Sequence, residues 1–148
     1  LTHLKTKFYA IILMVFGLVA CTSSEESTLH YSAVSKRDTA RLKLTLFDGT
    51  FYGKLVISKP GNVVDSGEVR GKIVQDTLLG DNYYRPYGAH EKKRRPFVLL
   101  HRKDSMLQGT GIQKVYLGIP YFEPGTIDFD SAKFVFYPEK TVVTSAKQ

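Results

Sequence analysis

The stretch "RLKLTLFDGTFYGKLVI", Arg41 to Ile57, decides the fold. Leu42, Leu44 and Leu46 fall on one side of an extended chain, with Arg41, Lys43 and Thr45 on the other. That is the period-2 pattern of a half-buried strand. Asp48-Gly49 supplies a dipeptide suited to a tight hairpin turn, and "FYGKLVI" runs back. The pattern repeats outward from this hairpin. "SKPGN" turns the chain again, "GEVRGKIV" sets Val69, Gly71 and Ile73 on one face, Gln75-Asp76 turns, and "TLLGDNYY" forms another strand. After "RPYGAHEKKRRP", read as the longest loop, come "FVLLHRK", "DS" and "MLQGTG". Strands over "KVYLGI", "TIDFD" and "AKFVFY" follow. Nothing between Ala40 and Tyr137 keeps a helical period. The expectation is an all-β fold, a small antiparallel meander closing into a barrel of about eight strands, since closure removes exposed edges. Gly53, Gly67, Gly71, Gly80, Gly109 and Gly111 fit strand bends at the corners of such a barrel.

The 148-residue chain has the length of one domain. Its net charge is +7, and from Cys21 onward 19 Lys and Arg stand against 14 Asp and Glu, a net +5. A basic balance favours anionic partners such as phosphates, acidic sugars or lipid head groups. One cysteine excludes an internal disulfide.

That cysteine ends an apolar run. Lys5 and Lys7 precede Phe8 to Ala20, and as a helix this run is roughly 20 Å long, short of a hydrocarbon core of about 30 Å. Residues 1–20 therefore read as a signal peptide. Leu18-Val19-Ala20-Cys21 resembles a bacterial lipobox. The resemblance implies Leu18 at the first motif position, Val19 and Ala20 as the small residues, and Cys21 as the lipidated residue, carrying palmitate-type acyl chains. An ordinary secretory signal with an incidental cysteine is the alternative. Residues 21–38 read as a flexible tether, 39–138 as the barrel domain and 139–148 as a disordered tail. The expected address is the cell envelope, lipid-anchored at the outer membrane on its periplasmic or surface face. Glu25 and Glu26 faintly resemble the acidic surface-export signals of Bacteroidota lipoproteins.

"GEVRGKIVQDTL" matches the pattern G-x-(I/V)-x-G-x-(I/V)-x-x-D-T-L. With "KKRRPFVLLHRKDSMLQGTG" it resembles a family of small Bacteroidota lipoproteins over about Lys54 to Gly111. In broader outline the chain is similar to lipocalin-type envelope barrels. These motifs mark turns and strands, so the resemblance implies address and fold and no activity. The basic loop and the "PYFEPGT" insert depart from the pattern.

Two groups of residues stand out. Lys92, Lys93, Arg94 and Arg95, flanked by Arg85, make a cationic run suited to an anionic surface, where each basic residue near an anionic membrane contributes roughly 1 kcal/mol. A solvated loop tip explains the same residues. Tyr84, Tyr87, Tyr116 and Tyr121 are placed to line a ligand mouth, and core packing is the competing account. Asp128 and Asp130, two apart in "IDFD", could share one strand face and ligate a hard cation, against an outward solvated face. His30, His90 and His101 have no ligand spacing, and neither a nucleophile elbow nor a phosphate-cradling loop occurs. No catalytic residue, metal site or cofactor is assigned, and nucleic acid is not expected.

The leading functional expectation is a lipid-anchored envelope protein binding a small hydrophobic or anionic ligand or lipid in its barrel. The second is a protein-interaction or structural module docking through the basic loop. An enzyme ranks third. An apolar interior volume favours the first, a filled core the second, and carboxylates converging on His101 the third.

Overall fold

The computed structural model describes residues 27–139. The signal peptide, the lipobox with Cys21 and the tail from Lys140 lie outside the described residues.

Ten strands form: β1 (Ser27–Ser35), β2 (Asp38–Phe47), β3 (Thr50–Lys59), β4 (Val63–Val74), β5 (Thr77–Arg85), β6 (Lys93–Arg102), β7 (Ser105–Gln108), β8 (Gln113–Tyr116), β9 (Ile119–Phe122) and β10 (Val135–Pro138). Eight of them close an antiparallel barrel in the order β1-β10-β7-β6-β5-β4-β3-β2, and β8 and β9 form a separate hairpin. The fold is therefore the expected all-β barrel. The Asp48-Gly49 turn joins β2 to β3 with both residues at positive φ, as its composition foretold. Its ladder pairs Leu44 with Gly53 and Leu42 with Leu55, which puts both leucine rows inside.

Four readings change. Residues 27–38, expected as tether, form β1 and the start of β2: Leu29, Tyr31 and Ala33 point inward and pair with β2 along nine residues. The cationic run is not a loop tip, because Lys93, Arg94 and Arg95 begin β6 and pair with Tyr84, Tyr83 and Asn82. "KVYLGI" is not one strand but β8, a turn at Leu117-Gly118, and the start of β9. "TIDFD" makes only an isolated bridge, Thr110 to Asp128.

Side chains occupy the barrel interior. Leu42, Leu44, Phe51, Leu55, Val69, Phe97, Leu99, Phe134 and Phe136 are each buried to 2% exposure or less, and Phe51 and Phe97 meet with ring centroids 6.1 Å apart. Two glycines make room. In the ladders Gly71 stands opposite Gly80 and Gly80 opposite Phe97, so the ring fills space that two side chains leave empty. A Cβ on Gly80 would lie 2.0 Å from the Arg70 carbonyl oxygen. The wall is thinnest on both sides of β10. β10 shares two paired residues with β1 and two with β7, against nine or more in each ladder from β1–β2 to β4–β5.

Candidate functional site

The two ends of the barrel differ in chemistry. At the end where β3 turns into β4 and β5 leads to β6, the inward layer is polar. Lys59 Nζ donates to Asp65 Oδ2 at 2.7 Å, and the Tyr87 backbone N–H donates to Asp65 Oδ1 at 2.8 Å. The Arg95 guanidinium lies 4.5 Å from the centroid of the Tyr84 ring, close enough for a cation–π contact. Burial pushes the Asp65 carboxyl up. The Lys59 bond, the Tyr87 amide and the charges of Lys59 and Arg95 outweigh that and hold it below the usual carboxylate range. One layer deeper sits Asn82, 1% exposed, whose Oδ1 has no hydrogen-bond partner among the described residues. Gly67 makes space for it, since a Cβ there would come within 2.4 Å of that oxygen. One ion pair and one cation–π stack cross this end.

The opposite end is open and apolar. Leu29, Tyr31, Leu46, Ile73, Leu78 and Met106 line a cup of about 210 Å³, rimmed by Gln75, Asp76 and His101. Burial raises the Tyr31 hydroxyl above its ordinary pKa. The His101 backbone N–H donates to the Asp76 carbonyl at 2.8 Å, which fixes the rim. Asp76 is the one carboxylate there, so no set of carboxylates converges on His101.

On the outer wall the alternation of β6 splits the cationic run. Arg94 faces out and meets Asp81 at 3.0 Å. Arg70 approaches the same carboxylate at 3.8 Å. Neither Asp81 Oδ2 nor Arg94 Nε makes a well-aligned hydrogen bond, so charge rather than direction holds that pair. Lys92 and Arg94 both lie over the Tyr83 ring, at 4.9 and 5.5 Å. Lys54, Arg85 and Lys92 border a shallow groove with Tyr83, Glu68 and Ser66. Arg95 points inward, and Lys93 is exposed at the start of β6. Three of the five expected anion-contacting residues, Arg85, Lys92 and Arg94, thus share one outer face.

The expected tyrosine mouth divides similarly. Tyr84 belongs to the polar end and Tyr87 to the loop above it, whereas Tyr116 and Tyr121 stand on the β8–β9 hairpin outside the barrel. β9 lies against β6 and β5, with Pro120 buried. Beside the exposed Gln113 and Lys114, the hairpin presents apolar surface: Val115 at 65%, Tyr116 at 70% and Leu117 at 84%, with Ile112, Ile119 and Tyr121 near them. Leu117 has φ 48° and Gly118 φ 78°, so leucine occupies a left-handed turn position that Asn, Asp or Gly normally fills. The sequence reading missed this tip because "YLGI" lacks the usual hairpin dipeptide.

The Asp128 carboxylate is engaged by its own loop. Its Oδ1 accepts the Asp130 backbone N–H at 2.8 Å and its Oδ2 accepts the Ser131 hydroxyl; these bonds lower its pKa, the Ser131 bond most. Among the described residues no three His, Cys, Asp or Glu side chains come together as a metal site, and no helix is long and apolar enough to cross a membrane. Neither a family model, nor a curated protein, nor a solved structure matches the chain.

Proposed function

We propose that the chain is a lipid-anchored envelope module that docks a protein partner through the β8–β9 hairpin. The observation that carries this reading is Leu117. A leucine held at positive φ costs roughly 1 kcal/mol of backbone strain, and its exposed side chain recovers nothing within the fold. Contact with a partner accounts for both. Apolar neighbours on both hairpin strands extend the surface, and Pro120, buried on the barrel side, fixes its base. β9 lies against β5 and β6, the strands that carry Arg85 and Arg94 outward, so the fitting partner offers an apolar pocket with an acidic rim. The filled interior supports docking over carriage of an enclosed ligand. The anchor rests on the Leu18–Cys21 lipobox, which also supports the outer-membrane address.

A photo-crosslinking residue at position 117, activated in the native membrane, tests the reading. One discrete protein adduct is expected, and the intact protein should lose its partner on Leu117→Asn while gaining thermal stability, because Asn suits the turn better. Adducts to lipid alone, or partner binding unchanged by L117N, would overturn it.

A further inference from the structure

We infer that the open end of the barrel binds the terminal segment of a fatty acyl chain; only the source of that chain rests on the anchor reading above. Both ends of the barrel are rings of inward-facing residues, yet they are built differently. One is crossed by Lys59–Asp65 and the Arg95–Tyr84 stack. The other presents Leu29, Leu46, Ile73, Leu78 and Met106 around about 210 Å³ of space. Leu29, Leu46 and Ile73 are only partly buried against the core, so apolar surface remains to be covered.

The shape of the cup sets the ligand. The packed core beneath it sets a floor, so a whole lipid cannot enter as it would in an open barrel. The space equals roughly seven water volumes, and methylenes are of similar size, which gives room for about six to eight carbons. The rim of Gln75, Asp76 and His101 brings no cluster of cations to the opening, so the polar end of the ligand stays in solvent.

The location names two sources for such a chain. β1 begins at this end, because Ser27 pairs with Leu46, itself part of the cup wall. Cys21 precedes Ser27 by six residues in the sequence, a reach of at most about 20 Å. An acyl chain on Cys21 therefore lies within range, and so do the chains of neighbouring membrane lipids.

Carbon-13 methyl labelling of methionine reads the cup directly. The chain has two methionines, Met14 before the lipobox and Met106 in the cup wall, and Met106→Leu assigns the signal. The full chain carrying Cys21→Ser is titrated with hexanoate, octanoate and dodecanoate. A saturable shift of the Met106 methyl is expected. Affinity should rise about threefold to fourfold per methylene up to roughly eight carbons and level off beyond, where further carbons protrude. Ile73→Lys, or Leu29→Gln if the first fails to fold, should weaken binding at least about tenfold, since a polar group then faces the chain. Lys59→Ala, at the opposite end, should leave it unchanged.

The same titration on protein from its native membrane separates the sources. A Met106 signal already at its saturated position and unmoved by octanoate assigns the chain on Cys21. A signal that titrates like the C21S protein assigns free lipid. A Met106 methyl that does not shift with dodecanoate in C21S overturns the inference, as does affinity unaffected by both wall variants. Intact mass showing Cys21 unmodified would remove the anchor reading and leave the cup result standing.

Discussion

Replacing Phe97 by alanine tests whether the barrel is filled. Phe97 is 1% exposed, 6.1 Å from Phe51, and opposite Gly80, so no side chain on that ladder partner can move in behind it. Loss of the buried ring removes about 2–3 kcal/mol of transfer free energy. The incompletely collapsed space adds about 24 cal/mol per Å³, so a residual hole of roughly 60 Å³ brings the total to about 4 kcal/mol. Domains of this size hold only about 5–15 kcal/mol, and the expected drop in Tm is roughly 10–20 °C. Urea unfolding followed by circular dichroism measures the change, and an unaltered urea slope shows that it reflects stability alone. A double-mutant cycle with Phe51→Leu should give coupling of about 0.5–1.5 kcal/mol. A benzene arm adds a second readout: an engineered apolar hole takes up benzene, so it should raise the Tm of F97A more than that of the parent protein, in which only the end cup is open to it. A cost below about 1 kcal/mol, or benzene stabilising the parent protein as much as F97A, would show that the interior is not packed and would return the carrier reading to first place.

Gly80→Ala should destabilise by about 2–3 kcal/mol, because its Cβ would sit 2.0 Å from the Arg70 carbonyl oxygen and backbone has to shift; calorimetry reads this, and a loss under about 0.5 kcal/mol would contradict the tight coiling of β4 on β5. Asp65 titrates below its ordinary value in the folded protein, so its contribution is complete above the unfolded pKa of about 3.9 and is lost as pH falls through the folded value. Asp65→Asn should therefore cost about 1 kcal/mol at neutral pH and flatten the acid limb of a stability–pH curve, whereas an unchanged acid limb would count against the pairing. Pro120→Asp should free the hairpin from the barrel, seen as faster proteolysis within residues 112–122 and little change in Tm.

The meander was legible wherever strands alternate cleanly and turns carry their usual residues, as at Asp48-Gly49 and around Pro60-Gly61-Asn62. β1 was not, because Ser32 and Val34 invert the contrast between its faces: an exposed valine alternates with Tyr31 and Ala33 inside. In "KKRRP" four charges hide a strand whose two faces find different partners, Asp81 outside for Arg94 and the Tyr84 ring inside for Arg95. Such pairings depend on register, which adjacent letters do not reveal. Lys59, Asp65 and Asn82 escaped notice for the same reason. The apolar cup was equally hidden, since Leu29, Tyr31, Leu46, Ile73, Leu78 and Met106 come from five strands and converge only when the ring closes.

The thin seam sets the order of assembly. Each strand from β2 to β5 meets its neighbour through a short turn, and β6 follows across residues 86–92. β1 gains β2 at once, but its other edge waits for Val135 to Glu139, more than a hundred residues later, and then wins two ladder pairs and the Glu139 bond to His30. Ring closure is therefore the step of highest loop entropy, made for only two ladder pairs, and it should limit the folding rate. Until it happens, a half-built molecule carries an unpaired edge along β1, open to pairing with a neighbouring chain. A variant that strengthens the β1–β10 pairing should slow unfolding far more than it speeds collapse of the meander, and stopped-flow kinetics on the full chain would separate the two.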